Sequence, residues 1–247
     1  MFPIGDQNEP GHGLPYVTLA IIGLNVAVFL LLQQAGADNT FTYGWSAVPY
    51  EITHGIDLLQ SAPVVIDGQQ YLVPEAPGPS PIQLTLLSSM FMHAGWLHLG
   101  GNMLFLWVFG DNVEHRAGPI LYLVIYLAVG VVASLAQILS SADSFIPTLG
   151  ASGAISGILG AYIVLFPTNR VTVFAFRFLT QVPAVVAIGI WILFQLISGF
   201  GATVVSDESG GGVAYLAHIG GFAAGLVVGL LLRAVSGPPR QDVQRAW

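Results

Sequence analysis

The sequence predicts an all-α membrane protein, a bundle of six transmembrane helices with both termini in the cytoplasm. Three observations lead there. The 247 residues are 54% hydrophobic and only 8% charged, against about a quarter charged in soluble domains, and the mean hydropathy is +0.75. Six apolar windows each have the roughly 17 to 25 residues that cross about 30 Å of hydrocarbon. All six basic residues are Arg, and each falls on the same side of those windows. Lipid offers no water to exposed backbone groups, so the spans are helices; strands would have to close a barrel and alternate apolar with polar, which these do not.

Residues 1–15 are read as a cytoplasmic N-terminal segment. Span one is Tyr16 to Leu32. Ala35-Gly36-Ala37 after it has the small residues of a signal-peptidase site, but the leader carries Asp6 and Glu9 and no Arg, where a signal peptide has a positive n-region, so the span is read as retained. The first outer loop, residues 33–90, has Pro74, Pro77, Pro79 and Pro81 near its end and carries Trp45, Tyr50 and Tyr71. A loop so long is usually functional or partly structured; it is either a solvated outer loop or a segment whose aromatic residues rest among the headgroups.

Span two, Phe91 to Gly110, contains His93, His98 and Asn102. Glu114 and Arg116 close it, read as an interfacial salt bridge or cap between Gly110 and Gly118. Span three, Ile120 to Leu139, is apolar. Span four, Leu149 to Phe166, carries Ser152 and Ser156; span five, Val182 to Phe200, carries Gln195. Gly210-Gly211-Gly212 precedes span six, Val213 to Leu232, which bears His218. The six-span unit thus covers residues 16–233, and 234–247 form a cytoplasmic tail. Arg116, Arg170, Arg177, Arg233, Arg240 and Arg245 occupy the even loops and the tail, whereas the odd loops hold acids such as Asp38, Glu51, Asp67, Asp143 and Asp207. The positive-inside rule then puts both termini in the cytoplasm.

Composition removes several chemistries. With no Cys there is no thiol nucleophile or cysteine metal site. With no Lys there is no Walker A lysine, Schiff base or Ser/Lys dyad. A net charge of -7 leaves no basic stripe for nucleic acid. What remains are polar groups inside apolar helices, each a functional candidate by its cost. Spans two, four and six all start from the outer side, and at 1.5 Å per residue His98, Asn102, Ser152 and His218 lie within a turn or two of one depth. A Ser beside a His is a nucleophile with its general base. Asn102 follows His98 by one turn, so its amide and the imidazole can face a developing oxyanion together. Ala217, Gly221, Gly225 and Gly229 on span six, and Ser152, Ser156 and Gly160 on span four, form small-residue stripes that let the two helices pack closely.

Other membrane chemistries lack their residues. No His is followed by Glu, as a zinc metalloprotease requires; no span core holds an Asp, of which an aspartyl protease needs two. Neither Ser152 nor Ser156 sits in the G-x-S-x-G elbow of soluble hydrolases. A metal or proton transporter built on His93, His98 and His218 is the alternative, although no acid lies near them.

Gly150-Ala151-Ser152-Gly153, Ala217-His218-x-x-Gly221-x-x-x-Gly225 and His98-x-x-x-Asn102, followed by Gly110-x-x-x-Glu114-x-x-x-Gly118, together resemble the rhomboid intramembrane serine proteases, over nearly the whole chain. The resemblance implies a rhomboid-like bundle with Ser152 as nucleophile, His218 as base, and His98 with Asn102 in the oxyanion hole. It implies also that the fifth helix and the loop after it gate lateral access and that the first loop is partly embedded. One position departs from the pattern. Many relatives carry a Tyr four residues after the nucleophile, stacked on the catalytic His, where this chain has Ser156; here either the Ser156 hydroxyl or another aromatic holds His218. The expected protein is a multi-pass enzyme of a prokaryotic cytoplasmic membrane. It cleaves peptide bonds in or near transmembrane segments of protein substrates in the lipid bilayer, with no metal, ATP or organic cofactor and no nucleic acid. The alternative is an inactive rhomboid-like protein that binds and chaperones membrane helices.

Overall fold

A computed structural model describes residues 2–8, 13–66, 68–175, 177–204 and 214–236. The chain opens with a strand, β1 (Phe2–Asp6), and a helix, α1 (Tyr16–Ala27), which continues as a π-helical turn over Val28–Leu32. Short helices α2 (Thr40–Trp45) and α3 (Pro49–His54) and a hairpin, β2 (Ala62–Ile66) with β3 (Gln69–Val73), follow. After a further short helix, α4 (Thr85–Ser88), come the long elements: α5 (Trp96–Ala117), α6 (Pro119–Ser140) and α7 (Ser152–Leu165). A second hairpin, β4 (Arg170–Ala175) and β5 (Phe178–Pro183), leads to α8 (Ala184–Val204) and α9 (Tyr215–Ser236).

The protein is therefore mostly helical rather than all-α. Among the described residues, Pro119–Ser140 and Tyr215–Val235 are long and apolar enough to cross a bilayer by themselves; Tyr16–Leu32, Ser152–Leu165 and Ala184–Gly199 are shorter apolar helices. Two predicted spans begin later than their hydropathy suggests. Residues 91–95 lie outside α5, which starts at Trp96 after extended backbone at Gly95 (φ 171°). Its far end continues past Gly110 through Asp111, Asn112 and Glu114, because these polar residues are buried against the N-terminal segment rather than exposed to lipid. Helix α7 starts at Ser152, not Leu149, since Gly150 has φ 134°, outside helical geometry. Its 14 residues span only about 21 Å. Gly153 through Tyr162 are all buried, so α7 is a short central pillar enclosed by longer helices.

The N-terminal segment is built into the fold. β1 pairs antiparallel with β4, and β4 with β5, in the order β1-β4-β5. Val171-Thr172-Val173 supplies the β-branched alternation of a half-buried strand, and Val171 and Val173 turn inward at 0% and 1% exposure. Tyr162 of α7 donates a hydrogen bond to the Asp6 carboxylate, and the Asn112 amide of α5 donates to the same oxygen at 2.8 Å. Asn169 holds the next backbone carbonyl, that of Gln7, at 2.9 Å. Glu114 has a defined partner as well. Its carboxylate accepts from the Val17 and Thr18 N–H groups at 2.9 and 2.7 Å, capping the free donors and positive dipole end of α1. It is a cap, as expected, but on a helix about a hundred residues away in sequence rather than between Gly110 and Gly118.

The long loop of residues 33–90 is partly structured. Gln33 pairs with the His93 backbone, accepting from its N–H at 2.7 Å and donating to its carbonyl at 3.0 Å. Ala47 and Thr148 form an antiparallel bridge. These contacts tie the loop to the approaches of both α5 and α7.

Burial pushes the Asp6 carboxyl up from 3.8 to about 7, with Asp111 nearby adding to the rise while Tyr162 and Asn112 oppose it. The docked strand therefore holds its proton more tightly than a released one. Docking is strongest at acid pH, weakens as pH rises from 3.8 towards about 7, and is flat above. A single Cys placed at Phe2, in a chain with none, and carrying a nitroxide label should be immobilised at pH 5 and more mobile at pH 8.5. Asp6→Asn, which cannot ionise, should remove that difference; a label equally mobile at both pH values in the unmodified background contradicts the assignment.

Candidate active site

The site forms where three helix starts meet. Gly150 donates its N–H to the Ser89 carbonyl at 2.8 Å and turns the chain so that Ser152 opens α7. Only glycine suits this turn: its φ lies in the region L-residues avoid, and a Cβ there would stand 2.9 Å from Cε1 and Nε2 of His98. The same hypothetical atom would be 3.6 Å from Ser152 Oγ, so the His98 ring and the serine hydroxyl flank one glycine. His98 Nδ1 accepts from the Ala94 N–H at 3.3 Å, which leaves the proton of the neutral ring on Nε2, the side facing Gly150.

His218 is the fourth residue of α9. Its Nε2 is 2.8 Å from Ser152 Oγ, and its Nδ1 is 2.7 Å from Gln195 Oε1 on α8. The Trp191 ring, one turn before Gln195, stands 5.8 Å from the imidazole at 44°. Ser156 does not hold His218: its hydroxyl bonds back to the Ser152 carbonyl at 2.7 Å. An aromatic and an amide from α8 occupy the place that the sequence left open. Asn102 lies one turn beyond His98 on α5, 8% exposed, and its Nδ2 has no hydrogen-bond partner among the described residues. His93 falls off the helix, three residues before α5; it is fully buried and meets His98 edge-on at 5.1 Å.

The sequence reading named Gln195 as an intramembrane polar residue without giving it a role. The signal was available: Gln195 lies five residues before Phe200 at the end of its span, and His218 five residues after Val213 at the start of the next, so the two sit at matching depths on consecutive spans. Among the described residues, no three His, Cys, Asp or Glu side chains form a group able to hold a metal.

What brings Ser152 to His218 is the contact of α7 with α9. A Cβ on Gly225 would fall 1.9 Å from the Gly157 carbonyl oxygen, one on Gly221 2.2 Å from that of Gly153, and one on Gly160 2.3 Å from that of Phe222. The two backbones touch, and any side chain at these points separates them. Two cavities adjoin the site. One of about 30 Å³ lies beside Ser152, between Ser134, Gln137, Leu149 and Ala217, with room for a water. The other, about 510 Å³ and apolar, lies between α5, α8 and the inner face of the sheet, lined by Phe105, Phe109, Val173 and Trp191 among others.

Residues 82–235, a stretch that holds all these groups, match the Rhomboid domain family model. The chain belongs to the rhomboid family. As a rhomboid it is an integral membrane protein. It is similar to Rhomboid protein 1, mitochondrial, of Saccharomyces cerevisiae, 30% identical over 174 residues that make up 66% of this chain and 46% of that protein. It is also similar to Rhomboid protease GluP of Bacillus subtilis, 30% identical over 220 residues, 89% of this chain and 36% of that one. RHOMBOID-like protein 5 of Arabidopsis thaliana is 32% identical over 168 residues, 64% and 50% of the two chains. This rhomboid thus spans half or less of the length of these relatives. They come from a bacterium, a mitochondrion and a plant, so the expectation of a prokaryotic membrane is not supported. Apolar length and Arg placement report the bilayer rather than the organism.

Gly225→Ala should force α7 and α9 of this rhomboid apart and destabilise the fold by about 1–3 kcal/mol, the cost of overpacking. It should also lower the thermal midpoint of the protein in detergent. Gly189→Ala, with nothing within 4 Å of the added Cβ, should leave that midpoint unchanged. Equal midpoints for the two variants would contradict the role given to the glycine contact.

Proposed function

We propose that this rhomboid is an intramembrane serine endopeptidase that uses Ser152 and His218 to cleave peptide bonds in or near transmembrane segments of protein substrates. The observation that carries the reading is the 2.8 Å separation of Ser152 Oγ and His218 Nε2. Ser152 donates its hydroxyl proton to Nε2 as Oγ bonds to the scissile carbonyl carbon, and the carbonyl electrons move onto its oxygen. That oxyanion faces donors from His98 and Asn102; an unpartnered buried donor at Asn102 suits a charge that exists only in the transition state. Collapse of the intermediate breaks the C–N bond, and the imidazolium proton goes to the leaving amine. Water, for which the cavity beside Ser152 has room, then attacks the acyl ester with His218 again as base, freeing the serine and the new carboxylate. No step requires a metal or organic cofactor.

In this reading the six apolar helices, counting α5, cross the bilayer with both termini in the cytoplasm, because every Arg lies on that side. The apolar cavity between α5 and α8 supports lateral approach of a substrate segment. A regular helix hides its carbonyls in i to i-4 bonds, so a cleavable segment contains a local breaker such as Gly or Pro.

Ser152→Ala, His218→Ala and the double variant should each lose nearly all cleavage of a reconstituted transmembrane substrate, with the double no worse than the worse single, because the two act as one unit. A fluorophosphonate should label the unmodified protein and spare Ser152→Ala. Cleavage retained by purified Ser152→Ala sinks the proposal; capture of substrate helices that is indifferent to Ser152 favours an inactive helix-binding protein. Asn102→Ala should lower kcat by about 10²-fold, the lower end for one oxyanion donor, with KM nearly unchanged. A rise in KM alone would move Asn102 to substrate binding.

A further inference from the structure

We infer that Gln195 is the positioning residue of this site: from α8, its amide oxygen fixes the tautomer and the orientation of His218, a role that a carboxylate fills in serine-protease triads. The inference rests on the serine-peptidase reading and deepens it.

The argument starts from the two ring nitrogens. A neutral imidazole carries one N–H and one bare nitrogen, and only the bare nitrogen takes up a proton. For His218 to accept from Ser152, 2.8 Å from Nε2, Nε2 must be bare and the proton must sit on Nδ1. Which nitrogen is protonated follows from the hydrogen bond the other one makes. Gln195 Oε1 lies 2.7 Å from Nδ1, and a carbonyl oxygen accepts without donating, so the proton stays on Nδ1. Turning the amide over would set its NH2 against Nδ1, drive the ring proton to Nε2 and leave Ser152 without a base.

The position of Gln195 supports the same role. It follows a wholly apolar run from Ala184 to Phe194, where an amide costs free energy, and its neighbours Leu193, Phe194 and Ile197 are exposed on the outside of the bundle. The amide turns inward, on the face shared by Trp191 one turn earlier. One helix therefore supplies both an acceptor and an aromatic wall to the imidazole, while Ser156 is occupied by its own backbone. An amide also suits the surroundings better than a carboxylate. It orients the ring without burying a charge, which in an apolar interior costs more than it returns unless fully paired. His218 rides on α9, which brings it to Ser152, while the orientation of its ring is set from α8.

The full chain, reconstituted in lipid with 15N-labelled histidine, reads the tautomer directly, because protonated and bare ring nitrogens resonate far apart. The His218 signals are those lost in His218→Ala. The unmodified protein should show a protonated Nδ1 and a bare Nε2. Gln195→Leu removes the acceptor and Gln195→Asn shortens its reach by one methylene. Each should move proton density to Nε2 and lower kcat on a transmembrane reporter substrate about 10-fold, the worth of one neutral hydrogen bond, with KM within about twofold. If Gln195→Leu does not fold, Gln195→Asn, which keeps a polar side chain, carries the test. A protonated Nε2 in the unmodified protein, or a folded Gln195 variant with unchanged tautomer and kcat, overturns the assignment. If the protein cleaves nothing, the peptidase reading fails while the tautomer measurement still decides what Gln195 does.

Discussion

Everything at this site depends on how closely two backbones approach. Helices in proteins usually pack with axes about 8–10 Å apart, a distance set by interleaved side chains. Between α7 and α9 glycine removes those side chains: a methyl group on Gly225 would lie 1.9 Å from the Gly157 carbonyl oxygen, far inside van der Waals contact. A serine and a histidine carried on two separate helices come into hydrogen-bond contact because of it. In lipid, where apolar surface gains nothing by leaving its solvent, such contact is held by dispersion and by polar groups. The small-residue stripe is thus what assembles the helix pair and what sets the geometry of the Ser152 and His218 pair.

Helix α7 connects the site to the rest of the molecule. Its first residue is Ser152, and near its other end Tyr162 holds Asp6 of the N-terminal strand. Around that second end Glu114 caps α1, and Asn112 and Asn169 bind the N-terminal segment through their amide nitrogens, while Asn112 Oδ1 stays buried without a partner among the described residues. At the Ser152 end the Nδ2 of Asn102 and both ring nitrogens of His93 are likewise buried without a partner among the described residues. Buried polar groups are nearly always bonded. In the proposed reaction the open Asn102 donor is the one that the oxyanion would satisfy.

The apolar helices were legible in the sequence, and so was the shared depth at which Ser152 and His218 come into contact, with His98 beside them. Each of these rests on a local rule: hydropathy over a window or spacing within one helix. Boundaries were less legible. Hydropathy registers apolar residues whether or not Gly95 or Gly150 has already broken the helix, and it stops at Asp111 although burial lets α5 continue to Ala117. The small sheet was missed because β1 and β4 lie about 170 residues apart, and neither reads as a strand until the other supplies its hydrogen bonds.

By itself the sequence determined the membrane character of this protein, the helical state of its apolar segments and which polar side chains lie inside them, since composition and short-range spacing carry those properties. Only the tertiary structure decided what holds His218, which helix Glu114 caps, and why Ser156 is not the stacking residue's substitute. The reason is physical. Gln195 to His218 and Glu114 to Thr18 are contacts between helices, and their distances depend on the crossing of whole elements, which no local pattern encodes. Ser156 illustrates the same limit from the other side, because a hydroxyl inside a helix can always bond back to the carbonyl one turn before it, and only the packed structure shows that it does.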